Sequence, residues 1–212
     1  MSDIHIYVRL EQFSNVVEGH GRVVEGDNAV REAYSVILSN IKSISLGGDA
    51  RTILCCRGVN IITPQLLHAI AVQIEYEKTP SPVLCFHRSL VISDPNKDTV
   101  WLLQRMLKGT PCSLFIVYTD PQEQGQVVRE EILNLQSSLR ITLDVIKENR
   151  TMSSHEMIVL LKKEHKPTLV RERLRQLFKR GLVSRQAHGN VGGDRFFVYE
   201  PFSLLGIDLK TT

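Results

Sequence analysis

Long apolar runs are missing from this chain of 212 residues. No stretch approaches the roughly 20 apolar residues that cross a bilayer, so no membrane span is expected. The opening MSDIHIYVR lacks the apolar core of a secretory signal, which points to an intracellular protein, cytoplasmic or at the nucleoid or nucleus. Cysteine is scarce too. Cys55, Cys56, Cys85 and Cys112 sit in apolar, strand-like runs, with no C-x-x-C spacing and no nearby histidines that make a zinc pattern. That excludes a zinc pattern and leads us to expect reduced, buried thiols and no bound metal. Neither G-x-G-x-x-G nor G-x-x-x-x-G-K-[ST] occurs, so no nucleotide cofactor is expected. G-x-S-x-G, H-E-x-x-H and paired-carboxylate motifs are also missing, and the expectation is a protein that is not an enzyme. Internal repeats and low-complexity tracts are missing as well.

What is present is an uneven charge. From Arg150 onward twelve lysines and arginines stand against six acidic residues, whereas the preceding residues hold fourteen against seventeen. The C-terminal part is basic and the N-terminal part mildly acidic, which places any main nucleic-acid surface in the C-terminal part.

Within that part the run TLVRERLRQLFKR, residues 168–180, has Leu169, Val170, Leu174, Leu177 and Phe178 at helical spacing. Arg171, Arg173, Arg175, Lys179 and Arg180 crowd its remaining surface, relieved by Glu172 and Gln176. Two shorter helical patterns precede it. Residues 139–149 carry Leu139, Leu143 and Ile146, and residues 155–163 carry Ile158, Leu160 and Leu161. Ser153 and Glu156 have capping-box spacing, and Pro167 with Thr168 marks the start of the third helix. After Gly181 come Leu182 and Val183, a glycine-rich loop over 188–194, and a strand-like run over 196–199.

Helix, helix, basic helix and a two-stranded ribbon: this order resembles the winged helix-turn-helix, most specifically in KRGLVSRQ followed by HGNVGGDRFFVYEP. In that family the third helix enters the major groove of duplex DNA and the wing touches the backbone or minor groove. The resemblance implies a base-facing role for Arg171 and Arg175, with Lys179 and Arg180 near phosphates. It implies roles at or near the wing for Arg185, His188, Asn190 and Arg195. Independently of any family, a guanidinium can bond both acceptors on one guanine edge, and flanking cations neutralise phosphates. Some winged helices bind only protein, so a protein-interaction subunit of a larger complex stands as the alternative.

The N-terminal part alternates strand and helix. Strands are expected over 3–9, 51–56, 83–86 (which 90–92 continue or pair with) and 112–118. Helices are expected from Asp27 or Asn28 to about Lys42, from Pro64 to about Glu77, and from Asp94, acting as the cap with Pro95 next, to Gly109. A fourth helix is expected from Asp120 and Glu123, a capping-box pair, to about Gln136. Residues 13–26 read as a loop. The alternation argues for an α/β layered domain with a mainly parallel sheet over residues 1–136, followed by a winged-helix domain over 137–212. Short readers of DNA half-sites usually pair, so the α/β domain is expected to form a homodimer or to sense a partner.

In parallel sheets, ligands bind beyond the carboxyl ends of the strands. The pattern places Arg57, Gly58, Asn60, His87 and Arg88 there, as an expected site for a small anionic effector ahead of the Pro64 helix. Residues 51–74 also resemble the Alba family of chromatin and RNA-binding proteins. A strand there ends in Arg57-Gly58, with Ile61 three residues after the glycine, then an apolar helix. Val59 and Asn60 stand where that family has basic loop residues. The overall plan resembles sensor proteins of prokaryotic immunity, which couple a parallel α/β domain to a C-terminal winged helix.

Overall fold

The computed structural model describes residues 6–43, 51–74, 83–122, 125–161, 166–191 and 194–209. The chain divides into two compact units. One comprises Met1–Asn134 with Leu204–Thr212, and the other Leu135–Ser203.

The first unit is mixed α/β. In chain order it runs β1 (Ile6–Arg9), β2 (Asn15–Val17), β3 (Gly21–Val24), α1 (Asp27–Ser43), β4 (Thr52–Cys55), β5 (Ile61–Ile62), α2 (Pro64–Ile70), β6 (Ala71–Ile74), β7 (Val83–Phe86), β8 (Leu90–Ser93), α3 (Lys97–Leu107), β9 (Leu114–Thr119) and β10 (Val127–Leu133). A five-stranded sheet has the order β1-β4-β8-β9-β10, and its first four strands are parallel. Each parallel neighbour is also the next sheet strand in the chain. Right-handed crossovers therefore put the connecting helices on one face. That face carries Val8, Leu54, Ile92 and Ile116 in one register row. They are buried in a single cluster with Ala33 and Ile37 of α1, Leu66, Leu67 and Ile70 of α2, and Leu103 and Leu107 of α3. The opposite row, Ile53, Val91 and Phe115, is buried as well. Burial on both faces explains why these strands read as unbroken apolar runs without alternation.

Several elements differ from the sequence expectation, and in each case pairing partners distant in sequence decide. Residues 13–26 are a hairpin and not a loop, since β2 and β3 pair antiparallel around Gly19 and Gly21, both at positive φ. The Pro64 helix stops at Ile70, and the next four residues form β6 against β7. That pairing leaves β8 to enter the central sheet between β4 and β9. Asp94 does not cap α3. It sits at φ 51, and the cap is Asn96, whose side chain accepts from Thr99 N at 2.8 Å. The helix expected up to Gln136 is instead β10, antiparallel to β9. Asp120 Oδ1 accepts from Gln122 N at 2.7 Å in a local turn, and Glu123 lies outside the described residues. Helix-forming Glu130 and Glu131 are outweighed there by Val127, Val128 and Ile132 on a pleated edge.

The second unit holds α4 (Ser137–Asn149), β11 (Met152–Ser153), α5 (Ser154–Leu161), α6 (Pro167–Lys179), β12 (Val183–Val191) and β13 (Asp194–Pro201). Its sheet has the order β11-β13-β12, antiparallel throughout. Leu139, Leu143 and Ile146 are buried on α4 as their spacing predicts. The Ser153–Glu156 box forms in both directions: Ser153 N donates to Glu156 Oε2 (2.8 Å), and Glu156 N to Ser153 Oγ (3.1 Å). The inward face of α5 differs, with Met157 and Leu161 buried while Val159 and Leu160 are exposed. On α6, Val170, Leu174 and Leu177 are buried, as is Arg173, which the pattern had put on the surface. Its Nη1 has no hydrogen-bond partner among the described residues.

The seam falls at Leu135, two residues before the expected start at 137, and the last residues rejoin the first unit. There Val127 N donates to Ile207 O (3.0 Å), Gly206 N to Val127 O (2.9 Å) and Leu209 N to Gly125 O (3.0 Å). These bonds satisfy backbone groups at the start of the edge strand β10. Cys55 and Cys56 are free and buried as expected, but Cys112 is disulfide-bonded, which corrects the expectation of reduced thiols throughout.

Candidate functional site

Two groups of functional side chains can be built from these elements. The first lies on α6 and the ribbon. Steps of four residues turn only about 40° around a helix, so Arg171, Arg175 and Lys179 share one strip. All three are exposed, and the buried strip of Val170, Leu174 and Leu177 lies on the other side of the helix. Arg175 Nε lies 3.6 Å from Glu172 Oε2, one turn back. Phe178 borders the basic strip. The Arg185 guanidinium, from β12, stacks 4.1 Å from the Phe178 ring centroid and 4.8 Å from that of Phe197 on β13.

The ribbon register explains the stack. Arg185 is opposite Tyr199 and Ala187 opposite Phe197, so Phe197 is the diagonal neighbour of Arg185, within reach of a long side chain. Tyr199 is buried, and burial raises its hydroxyl above the ordinary value. The Arg185 charge and a hydrogen bond with it pull the other way. Arg180 is half-buried at the C-terminal cap of α6. The backbones of His188, Asn190 and Arg195 belong to the ribbon, with Asn190 opposite Arg195 beyond an irregularity after Ala187. Their side chains lie outside the described residues.

The second group lies where β4, β8 and β9 end. Asp94 is its centre. Thr119 N donates to Asp94 Oδ1 (2.7 Å), and Thr119 Oγ1 and Ser93 Oγ donate to Oδ2 (2.8 and 2.9 Å). Arg57 Nη2 lies 3.5 Å from the same Oδ2, and donates to Thr119 Oγ1 and to Asp120 O (3.4 Å). The Arg57 charge is thus already answered by a carboxylate. Behind the cluster, burial holds the Tyr7 hydroxyl well above its ordinary range, helped by a hydrogen bond with Cys55 and by the charges of Cys55 and Asp94. Asn60 Oδ1 accepts from Arg22 N (3.0 Å), and Asn96 Nδ2 donates to Val59 O (3.3 Å) and to Asn60 O, so the 57–60 loop is tied on two sides. Gly58, at φ 79, is a position where a side chain is strained.

His87 and Arg88 do not join this group. They precede β8 in the parallel sheet, so they stand at its amino edge, about 13 Å away by strand length. The reading of 83–86 as a central strand had placed them at the carboxyl edge. His87 Nδ1 accepts from Ser89 N (3.2 Å) and lies 2.6 Å from Ser89 Oγ. Its pKa is lowered from 6.5 by burial first, then by the charges of Arg88 and Arg51. Sequence reasoning missed Asp94 as a cluster centre and Phe197 as a stacking partner. The signal for the first was a Ser-Asp pair closing an apolar strand, and for the second the alternation of FFVY along the ribbon.

Among the described residues no group of His, Cys, Asp and Glu is placed to hold a metal ion, and no helix is long and apolar enough to cross a membrane. No family model matches the chain, and no curated protein matches it. Among solved structures, a chain from the Drosophila ORC bound to AT-rich DNA and Cdc6 aligns at 11% identity with a TM-score of 0.27, covering 99% of this chain and 76% of that one. A score that low carries no argument about fold or function.

Proposed function

We propose that the second unit is a winged helix-turn-helix that binds duplex DNA through α6 and the β12–β13 ribbon, and that the first unit serves it as a homodimerisation or sensing module. The observation that carries the reading is the exposed strip Arg171, Arg175 and Lys179 on a helix whose other side is packed, with Arg185 of the ribbon beside it. A helix fits the major groove, the arginines reach guanine edges, and the flanking cations meet phosphates. Regulation of transcription is the biological role that such a reader would serve.

The test is duplex binding by the intact chain, followed by fluorescence anisotropy. Arg171→Ala and Arg175→Ala should each cost about 1–3 kcal/mol on a selected site and much less on random DNA. Arg195→Ala should weaken binding to every sequence and lower the salt slope by about one unit. No duplex binding at low salt sinks the proposal. Sedimentation of the intact chain tests the homodimer, since a 1–136 fragment would lose the pairing of Val127 with residues 206–207.

One observation favours the second reading, a protein-interaction subunit. Val159, Leu160 and Leu169 expose apolar side chains on α5 and at the start of α6. Exposed apolar groups of this kind suit a protein partner and contribute little to a phosphate-lined surface. An anionic effector at the strand ends would have to engage the Arg57 nitrogens not already held by Asp94 and Thr119. Inorganic phosphate titrated against wild type and Arg57→Ala tests that reading.

A further inference from the structure

Arg185 differs from the other arginines of the proposed interface. Arg171 and Arg175 are long, exposed chains on a helix surface, and Arg175 has Glu172 beside it. Arg185 is an exposed residue, yet its guanidinium lies over the rings of Phe178 and Phe197, and its charge acts on the Tyr199 hydroxyl. Phe178 comes from α6 and the other two from β13. Two aromatic rings, one from each element, thus hold one cation at the join between helix and ribbon. Among the described residues no carboxylate lies within ion-pair distance of it.

We propose that Arg185 is a preset phosphate clamp, a guanidinium fixed in the free protein so that its edge meets one phosphate of the duplex. The inference rests on the DNA-binding reading and deepens it. Three steps lead to it. Ring faces attract the flat face of a guanidinium, so stacking leaves the in-plane N–H groups as the available donors. Those donors match two oxygens of one phosphate, side by side, which a point-like ammonium cannot do. The clamp flanks the Arg171–Lys179 strip on the Phe178 side, where the backbone bordering the groove passes if the strip faces the groove floor. A contact held in place before binding loses little freedom on binding, so it contributes more than a loose lysine of equal charge. Phe178 and Phe197 are then positioning residues that act through Arg185.

The experiment uses the intact chain and a fluorescein-labelled duplex at about 50 mM salt, with Arg185→Ala, Arg185→Lys, Phe178→Leu and Phe197→Leu. Arg185→Ala should lose about tenfold in affinity on selected and random duplexes alike, with a shallower salt dependence. Arg185→Lys should recover the salt slope but only part of the affinity. Phe178→Leu and Phe197→Leu change no charge, and each should still weaken binding severalfold on both duplexes. Circular dichroism and thermal melting identify a variant that has lost its fold, and two independent ring positions guard against that loss. A second readout needs no DNA: the Arg185 side-chain Nε–H signal in NMR should be displaced by ring currents in the wild type and return toward the free position in either Leu variant.

Full rescue by lysine, or wild-type affinity in both Leu variants, overturns the clamp while leaving the DNA reading intact. A loss confined to the selected duplex also overturns it, since that would make Arg185 a reader of bases. An undisplaced Nε–H signal in the wild type overturns the preset geometry itself. Failure of the wild-type chain to bind any duplex removes both the DNA reading and the clamp.

Discussion

Asp94 holds Thr119 twice, accepting from its backbone N at 2.7 Å and from its hydroxyl at 2.8 Å. The first bond ties the end of β8 to the end of β9. Arg57 adds the end of β4 through its contacts with both residues. Parallel strands of four to six residues have few ladder bonds each, so a carboxylate that gathers three strand ends has a large share in closing that edge.

The first prediction concerns that carboxylate. Asp94 is mostly buried, and Asp94→Ala would leave Thr119 N and the Ser93 hydroxyl without their acceptor. The expected cost is about 3 kcal/mol in urea unfolding. Asp94→Asn keeps one acceptor oxygen and should cost about half as much. Asp94→Gly should be about 1 kcal/mol milder than the alanine change, because φ 51 suits glycine. Equal losses for alanine and glycine would show that the backbone there relaxes without cost.

The second prediction is a helix cap. Ser153→Ala removes the acceptor for Glu156 N and should cost about 1 kcal/mol. The two-way bonding also holds the Glu156 carboxyl below its usual value, chiefly through the backbone N–H of Ser153 and then its hydroxyl. A carboxyl depressed in the folded state adds stability above its unfolded pKa, and that stability is lost as pH falls through the folded value. Glu156→Gln should therefore reduce the extra acid sensitivity below about pH 4.5. Identical acid unfolding curves for Glu156→Gln and wild type would contradict it.

The capping box was legible because its partners are three residues apart. So were α1, α4 and α6, each a long periodic pattern between local stop signals. The misread elements share a different property. β2, β3, β6 and β10 owe their state to strands elsewhere, and Glu130 and Glu131 carry a local preference that pairing with β9 overrides. The same gap misplaced part of the site. His87 and Arg88 follow a real strand, but that strand pairs with β6 and lies outside the central sheet, so they stand at its other edge. Arg57 and Asp94 are 37 residues apart, and Arg185 meets rings from two elements. Only the folded chain shows that one basic residue is neutralised and the other is stacked.

The third prediction follows from His87. Burial and two arginine charges lower its pKa, so the fold favours the neutral ring. Above pH 6.5 the ring is neutral in both states and contributes no pH dependence. As pH falls below 6.5 the unfolded chain takes up the proton first, and stability drops until the folded ring titrates too. His87→Gln should flatten the stability profile between about pH 5 and 6.5 and leave it unchanged near pH 8. The check is the urea midpoint against pH, and parallel curves for the two proteins would count against the mechanism.

The fourth prediction separates electrostatics from geometry on α6. Glu172 lies 3.6 Å from Arg175 and accepts from Gln176 Nε2 at 3.2 Å. Both members of the ion pair are about half exposed, so the pair adds little to stability. On a surface that meets phosphates, the Glu172 charge is unfavourable and competes with DNA for Arg175. Glu172→Gln removes the charge and keeps the bond-forming end. If the α6 strip faces DNA, the change should tighten duplex binding by about threefold at low salt, and the gain should shrink as salt screens it. Glu32→Gln, an equal charge change on the exposed side of α1, separates a local effect from one of net charge. A gain in Glu172→Gln alone places Arg175 at the contact. Equal gains in both variants would reduce the effect to net charge, and no gain in either would remove α6 from the interface.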